Sequence, residues 1–302
     1  GADILHLDTN ALRGSITPLI TPFERGVVSV DQYAALVDRH IREGGHGVLV
    51  NGTSAEPSTL TVAERNQLVD VAVEVAKGKT QIVAATGSQS FAETVALTEH
   101  AARAGVDALL IVTPYYIRPP QRGLASYFAE LGKCSDLPLM IYHIPGRAAV
   151  SIEVDTLCRI ADTTPTLVGM KHAAQDLSLV TESLKRLGAD FRIFVGLEEL
   201  SFPMLALGAC GLMNAVGNLV PKRIAQLYET VARGDLPQAR KLHDDLFELN
   251  RAVFFDTNPI PIKYMAKRLG IIRDNEHRLP MVPATPDLER RLDSVLANAG
   301  LC

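Results

Sequence analysis

The chain has 302 residues, 47% of them hydrophobic and 21% charged, with 30 Lys and Arg against 34 Asp and Glu for a net charge of -4. Length allows one large domain or two small ones, and the composition, without a low-complexity tract, excludes disorder. The absence of clustered Lys and Arg excludes a nucleic-acid groove, and no apolar run approaches the roughly 20 residues of a bilayer-spanning helix.

Segment 1–13 carries no basic stretch followed by an apolar one, so no secretory leader is expected. Cys134, Cys158, Cys210 and Cys302 are far apart and form no CxxC pair. Structural zinc needs closer ligands, and a disulfide framework suits a smaller, secreted chain. Reduced cysteines and a cytoplasmic protein are expected.

Apolar runs rich in β-branched residues then recur along the chain: Gly14–Leu19, Gly47–Val50, Gln81–Ala85, Ala108–Val112, Pro138–Ile144, Thr166–Met170, Phe191–Val195 and Gly211–Val216. Near-continuous hydrophobicity over so few residues predicts strands buried on both faces, as in a parallel sheet. Amphipathic segments of helical period lie between them. Ser29–Gln32, Thr61–Glu64 and Ser90–Glu93 read as capping boxes, and Gly44-Gly45 and Gly105 as helix ends. Eight strand–helix repeats predict a closed (β/α)8 barrel over residues 1–230. A doubly wound sheet would want a glycine-rich nucleotide loop, and Gly52-Thr-Ser-Ala-Glu56 is neither GxGxxG nor a P-loop. Past residue 230 the strand rhythm stops. Leu236–Phe254, Ile260–Leu269 and Asp287–Ala299 read as helices, predicting a helical extension over 231–302 packed on the barrel.

The active site of such a barrel lies at the C-terminal ends of its strands. Lys171 follows the apolar Leu167-Val-Gly-Met170, so its amine is expected in or just above the packed interior. Burial favours the neutral amine that attacks a carbonyl as a Schiff-base nucleophile; the other reading is a lysine that snorkels to solvent. Tyr142, on the fifth strand, is either a general acid–base phenol or a core residue with its hydroxyl satisfied. Thr53 and Ser54 sit at a strand-to-helix turn that either holds a carboxylate or merely caps. Arg147 either grips a second carboxylate in bidentate fashion or makes a surface ion pair. Glu198 and Glu199 are solvated loop carboxylates, ligands for a cation, or ligands for substrate hydroxyls. The eight histidines show no HxH or HExxH spacing, which leaves a metal-dependent aldolase without support.

Several long motifs, in order, resemble those of the dihydrodipicolinate synthase and N-acetylneuraminate lyase family. They are Gly14-Ser-Ile-Thr-Pro-Leu-Ile-Thr-Pro-Phe23, Gly52-Thr-Ser-Ala-Glu56, Val112-Thr-Pro-Tyr-Tyr116, Tyr142-His-Ile-Pro-Gly-Arg147, Val168-Gly-Met-Lys-His172 and Asn258-Pro-Ile-Pro-Ile-Lys263. The resemblance implies a class I lyase in which Lys171 condenses with pyruvate or another 2-oxo acid and Tyr142 shuttles protons. It implies that Thr53 relays protons between Tyr142 and Tyr116, with Tyr116 reaching in from a neighbouring subunit. Thr53 and Ser54 would hold the pyruvate carboxylate, and Arg147, Glu199, Met213 and Asn214 would complete the substrate site. It also implies a homotetramer built as a dimer of dimers, and neither metal nor organic cofactor.

This sequence departs from the synthase pattern at Ser54 and Ala55, where Thr and Gly are usual. It departs again at His143 and His172, where Asn and Glu are usual. Arg147 matches the arginine that holds the aldehyde's carboxylate in the synthase. The sialic acid lyase pattern has a Thr where this chain has Ala173, although Glu199 matches its hydroxyl-binding glutamate. A 2-oxo-3-deoxy sugar acid aldolase or dehydratase is therefore the second enzyme reading, and a non-catalytic ligand-binding relative is the reading of another class. Keeping Lys171, Tyr142, Thr53 and Tyr116 together argues against the last.

Overall fold

The computed structural model describes residues 5–302, so the first four residues of the segment read for a leader lie outside the described range. Eight parallel strands close into a barrel: β1 (Gly14–Pro18), β2 (Gly47–Val50), β3 (Gln81–Ala85), β4 (Ala108–Val112), β5 (Leu139–His143), β6 (Leu167–His172), β7 (Arg192–Val195) and β8 (Gly211–Leu212). They pair in chain order, and β1 closes the ring by pairing with both β2 and β8. The expected (β/α)8 barrel is the fold observed. Its strands are continuously apolar because both faces are covered. Ile16, Leu49, Val83, Leu110, Met140, Val168 and Phe194 fill the interior, while Val48, Ile82, Leu109, Ile141 and Ile193 pack outward against the helices.

β8 is shorter than the predicted run to Val216. The Ala215 N–H turns to the Glu198 carboxylate, and the Asn218 side chain binds the carbonyls of Ala215 and Pro18, so these groups leave the ladder for a 3-10 turn over Ala215–Asn218. A two-stranded hairpin, Phe23–Glu24 with Val27–Val28, was not anticipated; Arg25 and Gly26 turn it with positive φ.

Of the three predicted capping boxes, Thr61 and Glu64 form both reciprocal bonds, and Ser90 accepts from the Glu93 N–H. Ser29 makes no cap bond: its hydroxyl donates to Asp31 and accepts from the Gln32 side chain, a local competitor of the helix donors.

Three helices occupy most of the C-terminal region: Leu236–Ala252, Ile260–Arg268 and Pro286–Asn298. The first packs on the Glu198–Leu200 turn and the second on the Ala215–Asn218 turn, which brings residues near 258 to the mouth of the barrel. None of the described helices is long and apolar enough to cross a membrane.

Candidate active site

Strand register places the two central groups side by side: Tyr142 on β5 is the direct partner of Lys171 on β6. A bulge directs the lysine. Between Leu139 and Met140 the pairing shifts by one residue, with Leu167 opposite the first and Gly169 opposite the second. Val168 faces the interior and Met170 faces the helices, so the extra residue changes the alternation and Lys171 also points inward. Without it, an inward Val168 would send Lys171 outward. The lysine is 3% exposed, and its Nζ lies 4.3 Å from the centre of the Tyr142 ring. Gly196 keeps room for it, because a Cβ there would stand 3.0 Å from Lys171 Cε and 2.8 Å from Ala173 Cβ.

The Tyr142 hydroxyl meets Thr53 Oγ1 at 2.9 Å. Thr53, Ser54 and Ala55 form a 3-10 turn after β2. Ala55 is accommodated in this turn because the left-handed conformation falls on the next residue, Glu56, at φ 57 and ψ 47. Glu56 is held from behind: Oε2 accepts from Lys263 Nζ at 2.8 Å and Oε1 meets His277 Nδ1 at 2.8 Å, with all three side chains almost wholly enclosed. Lys263 also donates to the Glu276 carbonyl. The motif residues Glu56 and Lys263 thus form one buried ion pair joining the C-terminal region to the turn.

Two spaces that share Thr53, Tyr142, Arg147 and Asn258 in their walls open here. An outer cleft of about 700 Å³ is lined by Thr53, Tyr142 and Arg147 among others. An inner chamber of about 40 Å³ adds Ser54, Lys171, Glu198 and Met213. Arg147, on a short helix after β5, borders both and donates to the Asn258 carbonyl at 3.3 Å.

The structure therefore brings Lys171, Tyr142, Thr53, Ser54, Arg147 and Met213 together. It leaves three other candidates out of the cavity of this chain. Tyr116 is 88% exposed, on a loop where its φ is 75°. Glu199 faces solvent, 3.7 Å from Arg251. Asn214 is buried, but its amide donates to Ser201 Oγ.

Glu198 is the residue whose placement sequence reasoning missed. Its Oε1 accepts from the Ala215 N–H at 2.7 Å, and Oε2 is buried without a hydrogen-bond partner. Burial pushes its carboxyl up to about 7, against the pull of backbone N–H groups and of Lys171. The only available signal was the phase of the turn after Gly196, which decides which of two adjacent glutamates faces inward.

One position further along the same strands, His143 and His172 are also register partners, with Nδ1 atoms 3.1 Å apart and rings inclined by 11°. His172 Nε2 meets the Asp176 carbonyl at 2.8 Å, an acceptor that fixes the proton there. His172 Nδ1 then accepts from His143 Nδ1–H. Burial lowers both, His143 to about 4, so the pair stays neutral near pH 7.

The model of the "Dihydrodipicolinate synthetase family" matches residues 11–299. The 4-hydroxy-tetrahydrodipicolinate synthase of Thermus thermophilus is 42% identical over 290 residues, covering 96% of this chain and 97% of that protein. The crystal structure of dihydrodipicolinate synthase from Aquifex aeolicus superimposes with a TM-score of 0.94 at 37% identity, over 96% of this chain and 98% of the other. That of the chloride-inhibited Acinetobacter baumannii synthase complexed with pyruvate gives 0.93 at 32% identity, over 97% and 100%. This chain belongs to the dihydrodipicolinate synthetase family and is an enzyme, a Schiff-base lyase acting on small molecules.

Proposed function

We propose that the chain condenses pyruvate with an aldehyde that carries its own carboxylate, aspartate semialdehyde being the family's example, through an imine on Lys171. The observation that carries this reading is the in-register pair of Lys171 and Tyr142, joined to Thr53 beside a cleft bordered by Arg147. The Lys171 amine adds to the C2 carbonyl of pyruvate, and loss of water leaves a protonated imine. That cation acidifies the methyl group; one proton leaves and an enamine forms. The enamine carbon attacks the aldehyde carbon, the aldehyde oxygen takes up a proton, and water then releases the product from the lysine.

Tyr142 carries protons to and from the carbinolamine oxygen, with Thr53 as the next relay. The turn at Thr53 and Ser54 holds the pyruvate carboxylate through the Ser54 hydroxyl and backbone N–H groups, and the planar fork of Arg147 suits the carboxylate of the aldehyde. Tyr116, exposed and outside the cavity walls of its own chain, completes the relay in a second copy of the chain within a dimer. Two such dimers form the tetramer. We retain 1–230 as the barrel and 231–302 as its extension. The cytoplasmic setting rests on four cysteines that remain free thiols.

A coupled assay with pyruvate and aspartate semialdehyde tests this directly. Turnover of that pair is the expected result. Pyruvate release from 3-deoxy-2-oxo sugar acids, with no condensation, would replace it by the sugar-acid reading.

A further inference from the structure

Asn258 lies between the helices Leu236–Ala252 and Ile260–Arg268, far along the chain from the catalytic strands, yet it lines both the outer cleft and the inner chamber. It is 8% exposed. Its Nδ2 donates to Ser54 Oγ at 3.1 Å, and its own carbonyl accepts from Arg147 at 3.3 Å. One residue therefore touches both groups assigned to substrate carboxylates.

The direction of the bond to Ser54 has a chemical consequence. A hydroxyl has one proton and two acceptor lone pairs. When an amide N–H occupies a lone pair from behind, the Ser54 proton is free to point into the chamber. A carboxylate offers only lone pairs, so it is bound by a hydroxyl that donates. If the group behind Ser54 were an acceptor, the hydroxyl would donate backward and present lone pairs to the substrate. The other side-chain atom of Asn258, Oδ1, is buried without a hydrogen-bond partner among the described residues.

We propose that Asn258 is a positioning residue for the 2-oxo acid: its amide fixes Ser54 as a donor toward the substrate carboxylate. The inference rests on the reading that Ser54 holds that carboxylate. Asn258 acts on this substrate through its side-chain bond to Ser54, and its contact with Arg147 is made by the backbone carbonyl.

The test is borohydride trapping of the full-length protein across a range of pyruvate concentrations, with melting temperature followed in parallel. Asn258→Asp is nearly isosteric but replaces the donor by an acceptor. It should raise half-saturating pyruvate by at least about tenfold, the loss of one hydrogen bond to a charged group, while trapping at saturation stays complete. Asn258→Leu frees the hydroxyl without reversing it and should raise it less. Half-saturation in Asn258→Asp within twofold of wild type, or a larger effect of Asn258→Leu than of Asn258→Asp, would overturn the proposal. If the Asn258→Asp variant does not fold, the Ser54→Ala and Asn258→Leu cycle decides: the double variant should match Ser54→Ala, and additive losses would overturn the proposal. Wild-type protein that traps no pyruvate would instead remove the carboxylate reading itself, a result distinct from normal trapping with an unaffected Asn258→Asp variant.

Discussion

The hydroxyls of Tyr142 and Thr53 lie 2.9 Å apart although 89 positions separate the residues in the chain. One sits on β5 and the other on the turn after β2, so the barrel itself makes the contact. A phenol bonded in this way has a path for the proton it takes from a carbinolamine. Tyr142→Phe should lower kcat by about 10²–10⁴, the range of a lost acid–base group. Thr53→Val should cost less, and the double variant should be no slower than Tyr142→Phe, since both belong to one relay. Steady-state kinetics decide it, and a loss below about tenfold in Tyr142→Phe would demote the tyrosine to packing.

Glu198 gives the fold a pH dependence of its own. Its carboxyl is raised from an ordinary 4.5 to about 7 by burial, so between those values the folded protein keeps a proton that the unfolded chain has lost. Its contribution is fully present below pH 4.5 and is lost as pH rises through about 7, an effect of about 3 kcal/mol. Glu198→Gln should flatten this part of the stability curve and leave the variant relatively more stable at pH 8. Denaturant unfolding at pH 5, 6, 7 and 8 measures it; parallel curves for both proteins would contradict the assignment.

The ion pair of Glu56 and Lys263 should behave as an enclosed pair does. Lys263→Met leaves a carboxylate without its cation and should cost about 3–5 kcal/mol, whereas adding Glu56→Gln should restore a good part of that. Urea titrations of the two single variants and the double variant supply the cycle. Additive losses would mean the pair does not act as a unit.

Tyr116 is expected to work in a partner's site, which mixed oligomers can reveal. Lys171→Ala should be inactive alone and Tyr116→Phe slow alone. Co-refolded, they should regain activity, because the chain with an intact lysine receives its tyrosine from the other. No recovery in verified mixed dimers would place Tyr116 outside the relay.

The barrel was legible because parallel strands buried on both faces write themselves as apolar runs, and all eight strands lie where those runs fall. Lys171 was legible as the one cation ending such a run, and its place in or just above the interior was expected, but the backbone irregularity that delivers it there was not. That is the bulge at Val168, which leaves no mark in a pattern that is apolar at every position. The choice between Glu198 and Glu199 depended on the phase of a 3-10 turn, which hydrophobic periodicity does not report for two identical neighbours. Asn258 was visible only inside a motif; its reach to Ser54, 204 positions away, is a product of tertiary packing. The histidines at 143 and 172 could be seen as departures, but not as a pair, until strand register set them side by side.

Whether Lys171 is the nucleophile is decided by borohydride reduction with pyruvate followed by peptide mass mapping. A stable pyruvyl adduct is expected on the peptide containing Lys171, absent from a folded Lys171→Ala variant that also lacks turnover. An adduct on another lysine, or an active Lys171→Ala enzyme, would show that Lys171 is not the nucleophile.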